Sequence, residues 1–189
     1  MSLPTEVRTA RLLLRRWRAA DRDVFSAMCD DARVMEFLPT IPTRAERDAA
    51  VDRVEAHFER HGFGLWAVEI PGEAEFVGWT GLHVPSFEAA FTPCVEVGWR
   101  LASAYWGQGY ATEAARAAVA FGFHELGLPE ILSWTVPMNS RSRRVMERIG
   151  LTHEPENDFD HPLLAAGHPL RRHVFYRLTR ERWEATLAE

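Results

Sequence analysis

The stretch Tyr105-Trp106-Gly107-Gln108-Gly109-Tyr110-Ala111-Thr112 decides how this chain is read. Two glycines one residue apart permit a tight turn on which backbone N–H groups converge. An Ala-rich run follows at once and predicts a helix from Thr112 to Leu126, with Gly127 at C′ and Pro129 barring continuation. A helix start adds unpaired N–H groups and the positive end of its dipole, so the turn suits a diphosphate held without any basic side chain. A plain glycine turn between strand and helix has the same residues, and the stretch alone leaves both readings open. A P-loop is excluded, because it needs Gly-Lys-Ser/Thr and all 22 basic residues are Arg. A dinucleotide fingerprint fits poorly. Thr112 stands at its third glycine, no acid follows the next strand at Thr135-Val136-Pro137-Met138-Asn139, and Ala102 to Trp106 make the turn too long.

Outward from the loop, Val95 to Leu101 reads as a strand. Val95, Val97, Trp99 and Leu101 share one face; Glu96, Gly98 and Arg100 share the other. Ile131 to Val136 is a further strand, and Asn139 or Ser140 caps a helix running to Ile149, with Gly150 just past its end. Upstream, Arg11 to Trp17 predicts an opening strand, and Asp21 a cap for a short helix through Met28. Pro42 and Thr43 open a longer helix, with Ala50, Val54 and Phe58 on one face, that ends before Gly62. Leu65 to Ile70 and Phe76 to Val84 form a hairpin around Pro71-Gly72. His173 to Leu178 is a late strand before a short terminal helix, and Asn157 to Arg171 is irregular. No linker or repeat divides the chain. The expectation is one α/β domain over residues 1–189, with a mixed, mostly antiparallel sheet flanked by helices.

Composition narrows the chemistry. The chain has 189 residues, 47% hydrophobic and 26% charged, enough to bury a core without disulfide or metal. A net charge of −5 argues against a nucleic-acid surface. The absence of lysine removes Schiff-base and lysine-base mechanisms. No apolar run spans a membrane, and Met1 to Arg11 lacks the apolar region of a signal peptide. Cys29 and Cys94 then read as reduced thiols in a cytoplasmic protein. His161 and His168 lack zinc-motif spacing, so no metal is expected.

The segment Trp106-Gly107-Gln108-Gly109-Tyr110-Ala111 resembles the acyl-CoA pyrophosphate loop of the GNAT N-acetyltransferases, whose signature is Gln/Arg-x-x-Gly-x-Gly/Ala. Trp106 departs at the first position, which touches a side-chain contact and not the backbone cradle. The likeness extends over about residues 8–178. Thr9 to Trp17, Glu96 to Leu101, Ala111-Thr112-Glu113-Ala114 and Asn139 to Leu151 follow the order seen in the ribosomal-protein N-terminal acetyltransferases of RimJ/RimL type.

The resemblance implies a GNAT fold whose central strands, Val95–Leu101 and Ile131–Val136, splay around the pantetheine arm of acetyl-CoA. Val97, Trp99 and Leu101 would give backbone contacts. Trp106, Gly107, Gln108, Gly109, Tyr110, Ala111 and Thr112 would hold the diphosphate, and Asn139 would contact the donor or simply cap its helix. Acetyl transfer needs a deprotonated amine and a proton for the leaving thiolate. Glu96, the only carboxylate within its strand, is the candidate base, its bland alternative being a charge on the solvent side of the sheet. Ser142 is the candidate acid, with Tyr105, Tyr110 and Tyr176 as alternatives. Arg143 and Arg144 reach CoA phosphates or are solvated. The carboxylates Glu154, Glu156, Asp158 and Asp160 attract a cationic amine or form a soluble loop. His83 lines the acceptor pocket or lies on the surface. Phe37, Trp66, Trp79 and Trp134 read as core, with Trp134 best placed to reach the cleft.

Neither cysteine lies at the loop or the base, which agrees with direct transfer and no acyl-enzyme. The implied acceptor is an amine-bearing protein or peptide, at its N-terminus, with a small amine (amino acid, polyamine or aminoglycoside) as the alternative. A non-catalytic acyl-CoA-binding module uses the same cradle without a working base. A homodimer is implied by resemblance only.

Overall fold

A computed structural model of the protein describes residues 3–187. In chain order the elements are β1 (Val7–Arg8), β2 (Leu13–Arg15), α1 (Asp21–Met28), α2 (Ala32–Met35), α3 (Arg44–His61), β3 (Leu65–Ile70), β4 (Ala74–His83), β5 (Glu96–Leu101), α4 (Tyr110–His124), β6 (Glu130–Thr135), α5 (Ser140–Arg148), β7 (Thr152–His153), β8 (Phe159–Asp160), β9 (Arg172–Thr179) and α6 (Arg180–Leu187). Nine strands make one sheet in the order β1-β2-β3-β4-β5-β6-β9-β7, with β8 also on β9. Only the β5–β6 pair among them is parallel. The mixed, mostly antiparallel sheet with flanking helices agrees with the expectation from sequence.

The two faces of the sheet bury different things. Trp66, Val68, Val77, Val97 and Leu101 pack with Ala114, Ala115, Ala118 and Phe121 of α4. The small alanines let α4 lie close to the strands, which is why that helix is Ala-rich. On the other face Phe25, Met28 and Cys29 at α1, and Val34 and Met35 of α2, cover Ala67 and Phe76. The alternation of β5 therefore puts Val97 and Leu101 under α4 and sends Glu96, Gly98 and Arg100 towards α1 and α2.

Local departures from the sequence reading have physical causes. The opening strand shrinks to Leu13–Arg15. Asp21 does not cap α1; Ala20 holds the N-cap position without a side-chain bond. Its carboxylate instead accepts the Arg18 N–H at 2.7 Å and pairs with the buried Arg15 guanidinium at 2.7 and 3.0 Å. A desolvated cation competes better for those oxygens than a helix N–H. The Ala-rich helix starts two residues early, at Tyr110, and stops at His124. By contrast α3 begins at a capping box made by Thr43 and Glu46 and ends at Gly62, as its residues predict. The short α2, β1, β7 and β8 carry too few residues to show a period. Among the described residues no helix is long and apolar enough to cross a membrane.

Candidate active site

The β5–β6 ladder is short. Glu96 is in register with Leu132, whose N–H donates to the Val95 carbonyl at 3.0 Å, and the Ser133 hydroxyl donates to the Val97 carbonyl at 2.9 Å. Beyond that point the strands separate. Backbone groups of alternate residues share an edge, so the Trp99 N–H and C=O face the gap. The Leu101 carbonyl is already taken, by the indole N–H of Trp106 at 2.8 Å. Trp106 thus ties the glycine loop to the end of β5, with the Arg141 guanidinium 4.6 Å above its ring. This tie was not visible in the sequence, where Trp106 stood only as a departure from a motif.

Gly107 and Gly109 have φ of +78° and +84°, in the left-handed region where side chains are strained. Their turn delivers the chain into α4, whose first internal bond runs from the Glu113 N–H to the Gly109 carbonyl at 3.0 Å. The N–H groups of Tyr110, Ala111 and Thr112 precede it and are left over by helix construction. Arg11 braces the loop from behind. It donates to the Gln108 carbonyl at 3.0 Å, to Glu113 at 2.6 Å, and lies 4.5 Å over the Tyr110 ring. Nothing in the sequence flags Arg11, because its partners are about a hundred residues away.

Loop and gap open into one cleft of about 810 Å³. Glu96, Trp99, Leu101, Trp106, Gly107, Gly109, Tyr110, Ala111, Thr112, Asn139 and Ser142 border it. Of the residues that the resemblance gave to acetyl-CoA binding, Val97 and Gln108 do not. Val97 is buried under α4, and the Gln108 amide donates to Ala104. Asn139 acts as an N-cap: its Oδ1 accepts the Ser142 N–H at 3.2 Å and its Nδ2 donates to Thr135 at 3.0 Å. That cap aims the first turn of α5, and hence Ser142, at the cleft. Tyr176 is not available as an acid. It is fully buried and bonded to Arg143 and Glu147, and burial raises its phenol above the usual range. Arg143 is held there too, while Arg144, exposed, borders the cleft.

Glu96 is not on a solvated face. Its side chain is 14% exposed, and burial holds the carboxyl well above the usual carboxylate range. Among the described residues it is the only carboxylate bordering the cleft. His83 stands behind it on β4 and not in the pocket wall; burial pushes its imidazole down to about 4. Burial and the nearby Glu96 and Glu130 charges push the Cys94 thiol up to about 12, so it is no nucleophile at neutral pH.

The far end of the cleft is walled by Val34, Phe37 and Leu38, by Trp79 and Trp134, and by the segment from His161 to His173. Phe37, Trp79 and Trp134 are thus half-buried wall residues, and only Trp66 of the four expected core aromatics is fully buried. The acidic loop does not face this space as free charge. Glu154 pairs with Arg177, Asp158 with His153, and Asp160 with Arg171 and Arg172.

Residues 11–152 match the Acetyltransferase (GNAT) domain family. The FsC-acetyl coenzyme A-N(2)-transacetylase of Aspergillus fumigatus is 41% identical over 128 residues, which is 65% of this chain and 52% of that protein. The chain thus spans about half the length of that relative. An uncharacterized N-acetyltransferase of Bacillus subtilis, YnaD, is 26% identical over 178 residues, 94% of this chain and 98% of that one. The crystal structure of a GNAT-family acetyltransferase from Bacillus anthracis superimposes with a TM-score of 0.77 at 26% identity, covering 93% of this chain and 99% of that one. With its sheet, its glycine loop and its split central strands in place, the chain belongs to the GNAT acetyltransferases, enzymes that use acetyl-CoA to acylate an amine.

Proposed function

We propose that the protein moves the acetyl group of acetyl-CoA directly to a primary amine, with Glu96 as general base and Ser142 assisting departure of the thiolate. The observation that carries this is the position of Glu96. It is, among the described residues, the sole carboxylate bordering the cleft, on a strand whose edge towards β6 is left unpaired beside the glycine loop.

The chain's own groups fit the donor. The N–H groups of Tyr110, Ala111 and Thr112 and the dipole of α4 suit the diphosphate. A Cβ at Gly107 would meet nothing within 4 Å, so ligand atoms can approach that backbone closely. The free edge at Trp99 suits the amides of the pantetheine arm, and exposed Arg144 and Arg148 suit phosphate. Bound acetyl-CoA supplies the electrophilic thioester carbonyl. Glu96 takes the proton of the acceptor ammonium, directly or through one water. The freed amine attacks the carbonyl carbon, a new C–N bond forms and the C–S bond breaks. The Ser142 hydroxyl donates a hydrogen bond to the departing sulfur. A base whose pKa is lifted towards neutrality is matched to this task.

The acceptor we favour is a protein or peptide N-terminus, as in the RimJ/RimL-type enzymes whose motif order the sequence follows. A single amine suits a wall that offers, among the described residues, one carboxylate, Glu96, with the Arg100 guanidinium on the same strand face. Polyamines and aminoglycosides carry several positive charges and would meet repulsion there. A small monoamine is the second reading, favoured by a cleft narrow enough to be walled by Phe37, Trp79 and Trp134. Calorimetric titration with acetyl-CoA, followed by acetylation of a peptide and amine panel, tests the proposal. Saturable binding with transfer to peptides supports it; binding with no transfer to any amine overturns it.

A further inference from the structure

Arg100 is a cation without an anion. It lies on the same face of β5 as Glu96, half-buried, with its guanidinium 5.2 Å over the Trp79 ring and close to the Cys29 thiol. None of the carboxylates among the described residues pairs with it. The other arginines on this side of the cleft are neutralised: Arg33 pairs with Asp31 at 2.9 Å and Arg141 with Glu36 at 2.5 Å. A desolvated guanidinium left unpaired is costly, and such groups are ordinarily paired. The fold keeps this one beside the acceptor end of the cleft, where Trp79, Val34 and Leu38 also converge.

We propose that Arg100 receives a carboxylate of the acceptor, so that the amine acetylated here belongs to a molecule carrying an anion several bonds from its nitrogen. This rests on the transfer reading of the same cleft. Four residues of strand put the Glu96 and Arg100 Cα atoms about 13 Å apart. With both side chains standing off the same strand face, an amine at Glu96 and a carboxylate at Arg100 are matched best by a molecule with several bonds between them, better than by an α-amino acid with both on one carbon. A short peptide with a free C-terminus or an acidic side chain near its N-terminus spans that distance, and so does an ω-amino acid. Both offer the same chemistry, and Trp79 packs against the apolar spacer between the two charges. Burial draws the Arg100 guanidinium below its usual pKa, as it does where no anion compensates the charge.

The test pairs amines that differ only in the anion: 5-aminopentanoate against its amide, and dipeptides with free against amidated C-termini. Charge-assisted bonds of this kind are worth about 10- to 100-fold. The wild type is expected to favour the carboxylate member by that factor in kcat/KM, mainly through KM. Arg100→Gln and Arg100→Met are expected to erase the ratio, and Arg100→Lys to keep part of it. Whichever pair shows the larger ratio identifies the source of the anion. A second readout needs no turnover. Pentanoate and pentanamide are titrated into the acetyl-CoA-loaded protein, following tryptophan fluorescence, and only pentanoate should saturate, in the wild type and not in Arg100→Gln. Equal kcat/KM within each pair, or a preference that survives Arg100→Gln, overturns the proposal. If no amine is turned over, the transfer reading fails, while the pentanoate titration still decides the role of Arg100.

Discussion

Nε2 of His83 stands 3.3 Å from Oε2 of Glu96, the two residues facing each other in register across β4 and β5, and Nδ1 of the same ring is buried without a hydrogen-bond partner. The wall behind the pair is fixed by His57, whose Nδ1 meets the Phe63 carbonyl at 2.8 Å and whose Nε2 accepts the Val84 N–H at 3.0 Å. Burial favours the neutral form of both His83 and Glu96. A proton taken from the acceptor amine is then held by a carboxyl that binds it more tightly than an exposed one. Glu96→Gln is expected to lower kcat by about 10²- to 10⁴-fold. Its acetyl-CoA dissociation constant should stay within a factor of two or so of the wild type, as expected of a base that serves the amine and not the donor. The wild-type rate should climb with pH through one ionisation well above the normal glutamate range. That ionisation should vanish from the mutant profile, and a profile unchanged in shape would remove Glu96 as the base.

The same pair makes stability depend on pH in two directions. The Glu96 pKa is raised in the folded state, so its contribution is full at acid pH and is lost as pH rises through the folded value. The His83 pKa is lowered from 6.5 to about 4, so its contribution is present above 6.5 and is lost as pH falls towards 4. Glu96→Gln should therefore melt higher than the wild type, by a margin that widens from pH 5 to pH 9. His83→Phe should flatten the acid limb between pH 6.5 and 4. Thermal melts across that range decide both, and a Glu96→Gln margin independent of pH would contradict the burial of this carboxyl.

Gly109→Ala probes the loop. The added Cβ would sit at φ of +84° and 3.4 Å from Nη2 of Arg11. The backbone strain alone is about 1 kcal/mol, and relieving it turns the N–H groups of α4 away from a bound diphosphate. Acetyl-CoA affinity should fall tenfold or more, with a drop of a few degrees in melting temperature. Calorimetry and a thermal melt on the same sample separate the two effects. An unchanged affinity would mean that the diphosphate does not sit on this turn.

Much of this was written in local sequence. The Gly107–Gly109 turn, the alternation in β5 and the Asn139 cap each lie within a few residues of what they control, and each is where its residues predict it. Glu96 was legible as a candidate, but the same alternation allowed a solvated face. Only the packing on that face, with the His83 ring 3.3 Å away, makes it a buried carboxyl. Arg11 and Trp106 were not legible, because one acts through Glu113 and the other through a carbonyl whose availability depends on where β5 and β6 part. The acidic run at Glu154 to Asp160 left two readings open for the same reason. Glu154 and Asp160 meet arginines on β9 and in the loop before it, and Asp158 meets His153, partners that charge patterning along the chain does not reveal.

Ser142 and Asn139 are neighbours with separable roles. The cap is made by the Ser142 backbone N–H, so Ser142→Ala leaves it intact. That variant should lose about tenfold in kcat with no change in melting temperature, if its hydroxyl serves the leaving sulfur. Asn139→Ala removes the cap and the bond to Thr135, and should cost about 1 kcal/mol of stability together with activity. Steady-state kinetics and denaturant unfolding of both variants make the comparison. Full activity in Ser142→Ala would pass the donor role to Tyr105 or Tyr110, the tyrosines that border the cleft.

Arg15 is the largest structural liability outside the cleft. Its side chain is 2% exposed and ties β2 to α1, β3 and β4 by bonds to Asp21, to Glu69 at 2.7 Å and to the Glu75 carbonyl at 2.6 Å. Removing one partner of a buried pair strands the other charge, at a cost of about 3–5 kcal/mol. Arg15→Ala leaves Asp21 buried with only the Arg18 N–H, so it should destabilise the fold by that amount and more than Asp21→Asn, which keeps a neutral partner for the guanidinium. Lysine cannot restore the network either, because one ammonium cannot reach both carboxylates and the carbonyl in the planar fork geometry. Urea unfolding of Arg15→Ala, Arg15→Lys and Asp21→Asn gives the order directly. Near-wild-type stability in Arg15→Lys would show that a single charge at this point suffices and that the bidentate geometry contributes little.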